Sequence, residues 1–125
     1  SAGGLANEDV ESLRAAGNTQ CDAAAMNPYC FEAAIAPHIA AEQSGVRMSL
    51  DRIVAAYREL AGRADVVIVE RAGGLRVPLN DQSDTADLMQ RLDLPVVLVV
   101  GVRLGCINHA LLTEEAILAR GLRRI

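Results

Sequence analysis

The sequence predicts an α/β protein in which a parallel sheet is flanked by helices. Two continuous β-branched runs, residues 65–70 and 94–101, alternate with segments of helical period, as in βαβ units with right-handed crossovers. The composition agrees, because 51% of the residues are hydrophobic but only 2% are aromatic, so the core must consist of Val, Ile, Leu and Ala. With 125 residues, the chain is expected to form a single α/β domain over residues 1–125.

Caps, stop signals and apolar stripes predict the helices. The predicted helices cover residues 7–16, 37–42, 50–61, 84–92 and 106–120. Asn7 and Ser49 are expected to cap the first and third of them, and glycines end three. Residues 18–36 have no clean period and are predicted to be mostly loop. In the last helix, the residues expected to point inward are Ile107, Ala110, Leu111, Ile117 and Leu118.

The two apolar runs do not alternate between apolar and polar residues. Such runs are typical of strands that are buried on both faces. Two strands are too few for a stable sheet. The chain is therefore interpreted as the middle of a larger α/β domain, or as a protein that needs a partner to cover its sheet edges. The final "LRRI", residues 122–125, resembles the approach to a further strand.

Charge and cysteine content exclude several classes of protein. The net charge is −4 and there is no basic stripe with stacking aromatics, so nucleic acid is not an expected partner. The three cysteines lack the spacing of a zinc site or a disulfide framework, which favours a reduced, cytoplasmic setting. No apolar run approaches the roughly 20 residues that a membrane span requires, so no membrane association is expected.

In an open parallel sheet, ligands bind beyond the carboxyl ends of the strands, and Glu70 and Gly101 end the two predicted strands. A carboxylate at the end of an apolar strand suits magnesium, and the alternative is a solvated acid at a strand end. Gly73 and Gly74 permit a close backbone approach to a ligand, or simply an ordinary turn. The chain contains no G-x-x-x-x-G-K-[ST] phosphate loop.

The start of the last helix is a candidate anion site. Gly105 and several free backbone amides follow Arg103 there, and Asn108 adds a side-chain donor. The alternative is a simple strand-to-helix turn. Cys106 is interpreted as a packed residue rather than a nucleophile, and His38 and His109 as surface or capping residues.

Several stretches together resemble the dethiobiotin synthetases. They are "NPYCFEAAIAPHIAA", "ADVVIVERAGGLRVPLND" and "LPVVLVVGVRLGCINHALLT", within a match from about Gly4 to Leu122. The resemblance implies a P-loop NTPase-like, three-layer α/β/α fold, a homodimer, and ATP and Mg²⁺ as cofactors. It also implies that the phosphate loop and the adenine-binding part of the family lie outside this chain, so that the fold is incomplete here.

Site residues follow from this resemblance position by position. Asp9 and Glu70 correspond to the family's magnesium ligands and, with Gly73 and Gly74, to its nucleotide region. Asn27, Pro28 and Tyr29 correspond to a segment near the diamine substrate and the dimer interface, as do Pro37 and His38. Further substrate contacts are implied for Ala72, Gly73, Leu104, Gly105, Cys106, Ile107 and Asn108, the last five from the second subunit.

The reaction implied is a cyclising carboxylation. 7,8-Diaminopelargonate forms a carbamate with CO2, ATP converts it to a carbamic-phosphoric anhydride, and the second amine closes the ring of dethiobiotin. Two positions differ from the family pattern. Arg71 lies where the family has a glycine, and Arg103 lies where it has a lysine. The alternatives are another P-loop-related ligase, such as a cobyrinate amidation enzyme, and a non-catalytic α/β scaffold that binds an anion or dimerises.

Overall fold

A computed structural model describes residues 8–31, 35–71 and 73–125. The chain forms two compact units, Ser1–Arg71 and Ala72–Ile125. The helices of the first unit are α1 (Glu8–Ala16), α2 (Ala23–Met26), α3 (Pro37–Gln43) and α4 (Leu50–Ala61). Those of the second unit are α5 (Thr85–Leu92) and α6 (Cys106–Ala119). Five of the six helices in the described ranges were predicted from the sequence, with bounds that agree to within about two residues.

The first unit confirms the predicted acidic first turn of α1, the apolar stripe of α4 and the glycines that end both helices. Acidic residues occupy the first turn of α1, where they favour the positive end of the helix dipole, and the Gly17 amide donates to the Leu13 carbonyl at 3.0 Å. The proposed cap Asn7 lies outside the described residues. In α4, Leu50 and Val54 are buried on the predicted stripe, and Gly62 follows the last turn.

The short helix α2 was not predicted. It is a single turn of three alanines and a methionine within a segment that has no apolar period. Alanine has the highest helix propensity, but one turn is not stable in isolation. In the fold this turn packs against α4 and contacts α1, so tertiary contacts stabilise it.

Helix α5 begins with a complete capping box. The Asp84 carboxylate accepts hydrogen bonds from the Ala86 and Asp87 amides, and the Asp87 carboxylate accepts one from the Asp84 amide. Such caps satisfy amides that have no partner within the helix.

Helix α6 ends in a Schellman motif. Gly121 has φ of 67° and donates to the Leu118 carbonyl, and Leu122 donates to the Ile117 carbonyl. Ile117 and Leu122 are both buried in the core cluster, as is typical of this motif. The prediction that Gly121 ends the last helix is therefore confirmed.

The core of the second unit joins four segments of the chain. Its buried members are Leu75, Ala86, Val96, Ile117 and Leu122, with Met89 and Ala116 packed against them. These residues come from the loop before α5, from α5, from the second apolar run, and from α6 and its C-terminal turn. One cluster therefore holds in place both α6 and the loop that begins at Gly73.

The predicted sheet is not formed within the described residues. Their only β-pairings are two isolated bridges, a parallel one between Val96 and Arg124 and an antiparallel one between Pro78 and Asp84. In the parallel bridge, Val96 donates to the Arg123 carbonyl at 2.7 Å and Ile125 donates to the Val96 carbonyl at 3.0 Å. This bridge follows α6, as expected for a βαβ crossover, and agrees with the interpretation of "LRRI" as the approach to a strand.

The prediction that both apolar runs are buried on two faces is wrong for the described structure. Val66 and Ile68 are 77% and 86% exposed, and Val97 and Val99 are exposed as well. A strand is buried on both faces only when neighbouring strands and covering helices surround it. Within the described residues, only Val96 of these runs has such neighbours, since it pairs with Arg124 and is buried in the core cluster. The apolar composition of a run indicates that its side chains favour burial, but it does not determine which other segment covers them.

The predicted inward face of α6 also requires a correction. Ile117 is fully buried and Ala110 is half-buried, but Ile107, Leu111 and Leu118 are exposed. Apolar residues occur around much of this helix, and only the part near its C-terminal end meets the core cluster.

None of the helices in the described ranges combines the length and the apolar character needed to cross a membrane.

Candidate functional site

The start of α6 is the most clearly built of the predicted site segments. Gly105 precedes the helix with φ of 90°, a conformation that strongly favours glycine. The Cys106 amide donates to the Arg103 carbonyl at 3.0 Å, which closes a tight turn before the helix. The Gly105 carbonyl then accepts from the His109 amide, so regular helical bonding starts there.

Backbone donors and exposed side chains meet at this helix start. The Ile107 and Asn108 amides lie in the first turn, and within the described chain no side chain caps it. Leu104, Ile107 and Asn108 are exposed, whereas Cys106 is half-buried with a free thiol. The arrangement can bind an anion through amides and the helix dipole, and it offers apolar surface beside that anion.

The segment at residues 73–77, called the glycine loop below, has a defined backbone. Gly73 has φ of 89°, and a Cβ added there would lie 2.8 Å from Cγ2 of Val77. Gly74 has no heavy atom within 4 Å of the equivalent position. Gly73 is therefore required by both conformation and space, whereas Gly74 is not. Ala72, the third predicted contact in this region, lies outside the described residues.

The glycine loop is attached to the start of α5. The Thr85 hydroxyl donates to the Leu75 carbonyl at 2.6 Å and accepts from the Val77 amide at 3.1 Å. The Thr85 amide donates to the Val77 carbonyl at 2.9 Å. The Arg76 guanidinium contacts the Asp84 carboxylate beside it.

Asp84 is the charged residue that joins the glycine loop to the start of α5, since it caps the helix and pairs with Arg76. It is buried, and burial alone raises the pKa of its carboxyl group. The hydrogen bond and charge of Arg76, the backbone hydrogen bond from Asp87 and the charge of Arg120 outweigh burial and lower that pKa below its ordinary value. Asp84 is therefore a carboxylate at neutral pH.

Arg120 links the end of α6 to the same carboxylates. Its guanidinium lies 3.5 Å from the Asp84 carboxylate and also pairs with Asp87. The Gln90 side chain donates to the Arg120 carbonyl at 2.8 Å. The start of α5 and the C-terminal end of α6 are thus joined by charged hydrogen bonds as well as by the core.

The sequence reasoning did not identify this network as part of the site. A signal for it existed, because "DTAD" at residues 84–87 places an acid three residues after a capping acid. That pattern predicts the capping box. It does not indicate that Thr85 and Asp84 also hold the glycine loop, since those partners lie 8 to 10 residues away along the chain.

The two predicted magnesium ligands, Asp9 and Glu70, are exposed in the first unit. Asp9 lies in the first turn of α1, and Glu70 lies in the irregular segment after α4. The described residues contain no group of three or more His, Cys, Asp or Glu side chains that could hold a metal ion. Two carboxylates nevertheless fit Mg²⁺, which retains several waters and is usually bound through one or two carboxylates together with substrate phosphates.

Asn27, Pro28 and Tyr29 are half-buried in the first unit, and the contacts of Tyr29 are structural. The Tyr29 hydroxyl accepts a hydrogen bond from the Ser49 amide at 2.9 Å, just before α4. The Arg52 guanidinium lies 4.8 Å from the centre of the Tyr29 ring. The prediction that the Ser49 side chain caps α4 is wrong, because that side chain makes no capping bond. The Tyr29 hydroxyl bonds instead to the backbone amide of Ser49.

The remaining residues of interest differ in burial. Pro37 begins α3, and the Nδ1 atom of His38 beside it is buried without a hydrogen-bond partner. Arg71, which stands for a family glycine, is half-buried, and burial lowers the pKa of its guanidinium. Arg103 is exposed before the α6 turn.

Comparison with known proteins identifies the class to which this fold and these segments belong. A family model described as an AAA domain matches residues 1–125, and the chain belongs to that family. This membership supports the P-loop NTPase-like class expected from the sequence.

Within that class, the chain is 58% identical over 121 residues to the ATP-dependent dethiobiotin synthetase BioD of Aromatoleum aromaticum. The match covers 97% of this chain and 54% of the relative, so the chain spans about half of that protein's length. The family resemblance seen in the sequence is thereby confirmed.

Proposed function

We propose that the protein acts in biotin biosynthesis as an ATP- and Mg²⁺-dependent dethiobiotin synthetase. The observation that carries this proposal is the 58% identity, over nearly the whole chain, to a protein named for that activity. Residues 1–125 would be the central part of one three-layer α/β/α domain, in a cytoplasmic homodimer. The exposed apolar runs at residues 66–69 and 97–100 are compatible with such a sheet, because strands of a parallel sheet need further neighbours.

The start of α6 would bind the carboxylate of 7,8-diaminopelargonate in the subunit facing it. The Ile107 and Asn108 amides and the Asn108 side chain would donate to the carboxylate, and the helix dipole would favour its charge. Leu104 and Ile107 would contact the apolar chain of the substrate. The half-buried Asn27–Tyr29 segment would lie near the diamine.

The reaction would proceed without a nucleophilic side chain. One amine of the substrate attacks CO2 and loses a proton to give a carbamate, and a carbamate oxygen attacks the γ-phosphorus of ATP with release of ADP. The second amine then attacks the carbonyl carbon and loses a proton, phosphate leaves with the C–O bond broken, and the ring of dethiobiotin closes. The chain's part is positioning, which can supply several kcal/mol of a barrier.

Asp9 and Glu70 are the residues that would hold Mg²⁺. When bound, the ion neutralises charge on the phosphates. Gly74 would let the backbone approach the substrate and the phosphates closely, since a Cβ there would have no heavy atom within 4 Å. Gly73 would present its left-handed backbone to them, with Val77 packed where a side chain would otherwise lie.

The first prediction concerns the carboxylate site. Asn108→Ala should weaken binding of 7,8-diaminopelargonate by about 10-fold or more, because a hydrogen bond to a charged group contributes roughly 1.5–3 kcal/mol. Isothermal titration of the diamine, with and without Mg-ATP, together with the mass in solution, measures this. Asn18→Ala is the matched control, since Asn18 is an exposed asparagine in a loop of the first unit.

Formation of dethiobiotin from the diamine, CO2 and ATP, followed by mass spectrometry on the complete gene product, tests the activity itself. Absence of product from a folded, dimeric protein would contradict the proposed function. Equal binding by Asn108→Ala and Asn18→Ala would contradict only the assignment of the carboxylate site.

A further inference from the structure

We propose that Thr85 is a positioning residue of the glycine loop, and that its hydroxyl sets the backbone that the substrate and phosphates meet. The reaction affected is the one proposed above, so this inference rests on that function. The structural part concerns only the second unit and can be tested without any substrate.

The hydrogen bonds of the Thr85 hydroxyl are all made to residues of the glycine loop. The residue is only 5% exposed, and its hydroxyl donates to the Leu75 carbonyl while accepting from the Val77 amide. With the bond from the Thr85 amide to the Val77 carbonyl, three hydrogen bonds join residues 75–77 to the first residue of α5. A buried carbonyl or amide that loses such a partner costs free energy, so the loop is held firmly.

Helix α5 does not need this hydroxyl for its own cap. Asp84 is the N-cap, and the Asp84 and Asp87 carboxylates already complete the capping box. A threonine at the next position could be replaced by many residues if helix formation were its only role, because the first helical position has no capping function here. The hydroxyl at this position therefore serves the loop rather than the helix.

Thr85 is connected to Gly73, the glycine proposed to face the substrate, through one residue, Val77. Thr85 fixes Val77 through both its N–H and its C=O group, and Cγ2 of Val77 lies against Gly73, where a side chain would otherwise be. If Val77 moves, Gly73 loses the neighbour that packs against its left-handed backbone. A displacement of about 1 Å at a reacting group can cost up to about 100-fold in rate.

Thr85→Val tests the proposal because it keeps the shape and removes the hydroxyl. In the complete gene product, kcat/KM for dethiobiotin formation should fall by about 10- to 100-fold, with a change in KM as well as in kcat. A mere loss of folded protein would lower kcat and leave KM unchanged. Thr85→Ser should retain most of the activity, because it keeps both hydrogen bonds.

Thr113→Val is the matched control. The Thr113 hydroxyl donates to the His109 carbonyl within its own helix, at 2.7 Å, so the same chemical change is made away from the loop. This variant should leave KM at the wild-type value.

Hydrogen exchange separates failure of the inference from failure of the proposed function. In the wild type, the Val77 amide should be protected although it lies in a loop, and Thr85→Val should abolish that protection selectively. Fast exchange at Val77 in the wild type would overturn the inference even if no variant folds. Faster exchange in Thr85→Val with unchanged kcat and KM would also overturn it. An inactive wild type would refute the function but not the attachment of the loop.

Discussion

Adjacent glycines in the glycine loop have different physical roles. Gly73 has a left-handed backbone and lies against the Val77 side chain, whereas Gly74 has neither constraint. In sequence they are an undifferentiated pair. Only the dihedral angle and the space around each Cα distinguish the residue that requires glycine from the one that tolerates a side chain.

At this scale we predict that Gly73→Ala destabilises the protein by about 1–3 kcal/mol, because alanine is strained at positive φ and its Cβ would meet Val77 at 2.8 Å. Gly74→Ala is the control and should be neutral or slightly stabilising, since it restricts the unfolded chain. Urea unfolding followed by circular dichroism measures both free energies. Equal destabilisation by the two changes would contradict the assigned roles.

The start of α5 acts as a junction between elements. Asp84 caps α5, pairs with Arg76 of the glycine loop and faces Arg120 at the end of α6. Carboxylates can connect elements in this way because each offers several acceptor positions. The stability of the junction depends on the ionised form, since all of these partners are donors.

This dependence predicts a pH effect. The pKa of folded Asp84 is below its ordinary value, so the stability it contributes is complete above that ordinary value, near 3.8, and is lost as the pH falls through the folded pKa. Asp84→Asn should lower the free energy of unfolding by about 1–3 kcal/mol at neutral pH and flatten its decline below about pH 4.

Unfolding in urea at a series of pH values measures the difference in the free energy of unfolding between the wild type and Asp84→Asn. Asp93→Asn is the matched control, because Asp93 is exposed at the other end of α5 and asparagine also tolerates its left-handed backbone. If Asp84→Asn and Asp93→Asn gave the same stability at neutral pH, the junction would not depend on Asp84.

At the scale of the whole molecule, apolar side chains remain outside the cores of the two units. Val66 and Ile68 in the first unit, and Val97 and Val99 in the second, expose most of their surface. Unpaired extended segments with exposed apolar side chains are prone to associate through their edges and faces.

We therefore predict that the 125-residue chain associates in a concentration-dependent manner, and that Val99→Lys reduces its mass in solution at a given concentration. Analytical ultracentrifugation over a dilution series measures the effect. Ala55→Lys is the control, because it adds the same charge at an exposed position of α4. Identical association of the two variants and the wild type would show that the exposed run does not drive it.

Local signals in the sequence determined most of the helices and the turn before α6. Helix bounds follow from caps, stop glycines and apolar stripes, which act within a few residues, and so Leu50–Ala61 and Cys106–Ala119 were predicted closely. The start of the last helix directly after Gly105 was predicted for the same reason. The family of the chain could also be predicted, because its motifs are contiguous in the sequence.

Tertiary structure alone decided the exposure of the apolar runs and the partners of the glycine loop. Burial depends on segments that are distant in sequence, so the composition of residues 65–70 and 94–101 could not determine whether a neighbour covers them. The bonds from Thr85 to residues 75 and 77, and from Arg120 to Asp84, likewise join residues that local periodicity does not relate. Short-range propensities determined the elements of this protein, and long-range hydrogen bonds and packing determined how the loop that carries its candidate chemistry is held.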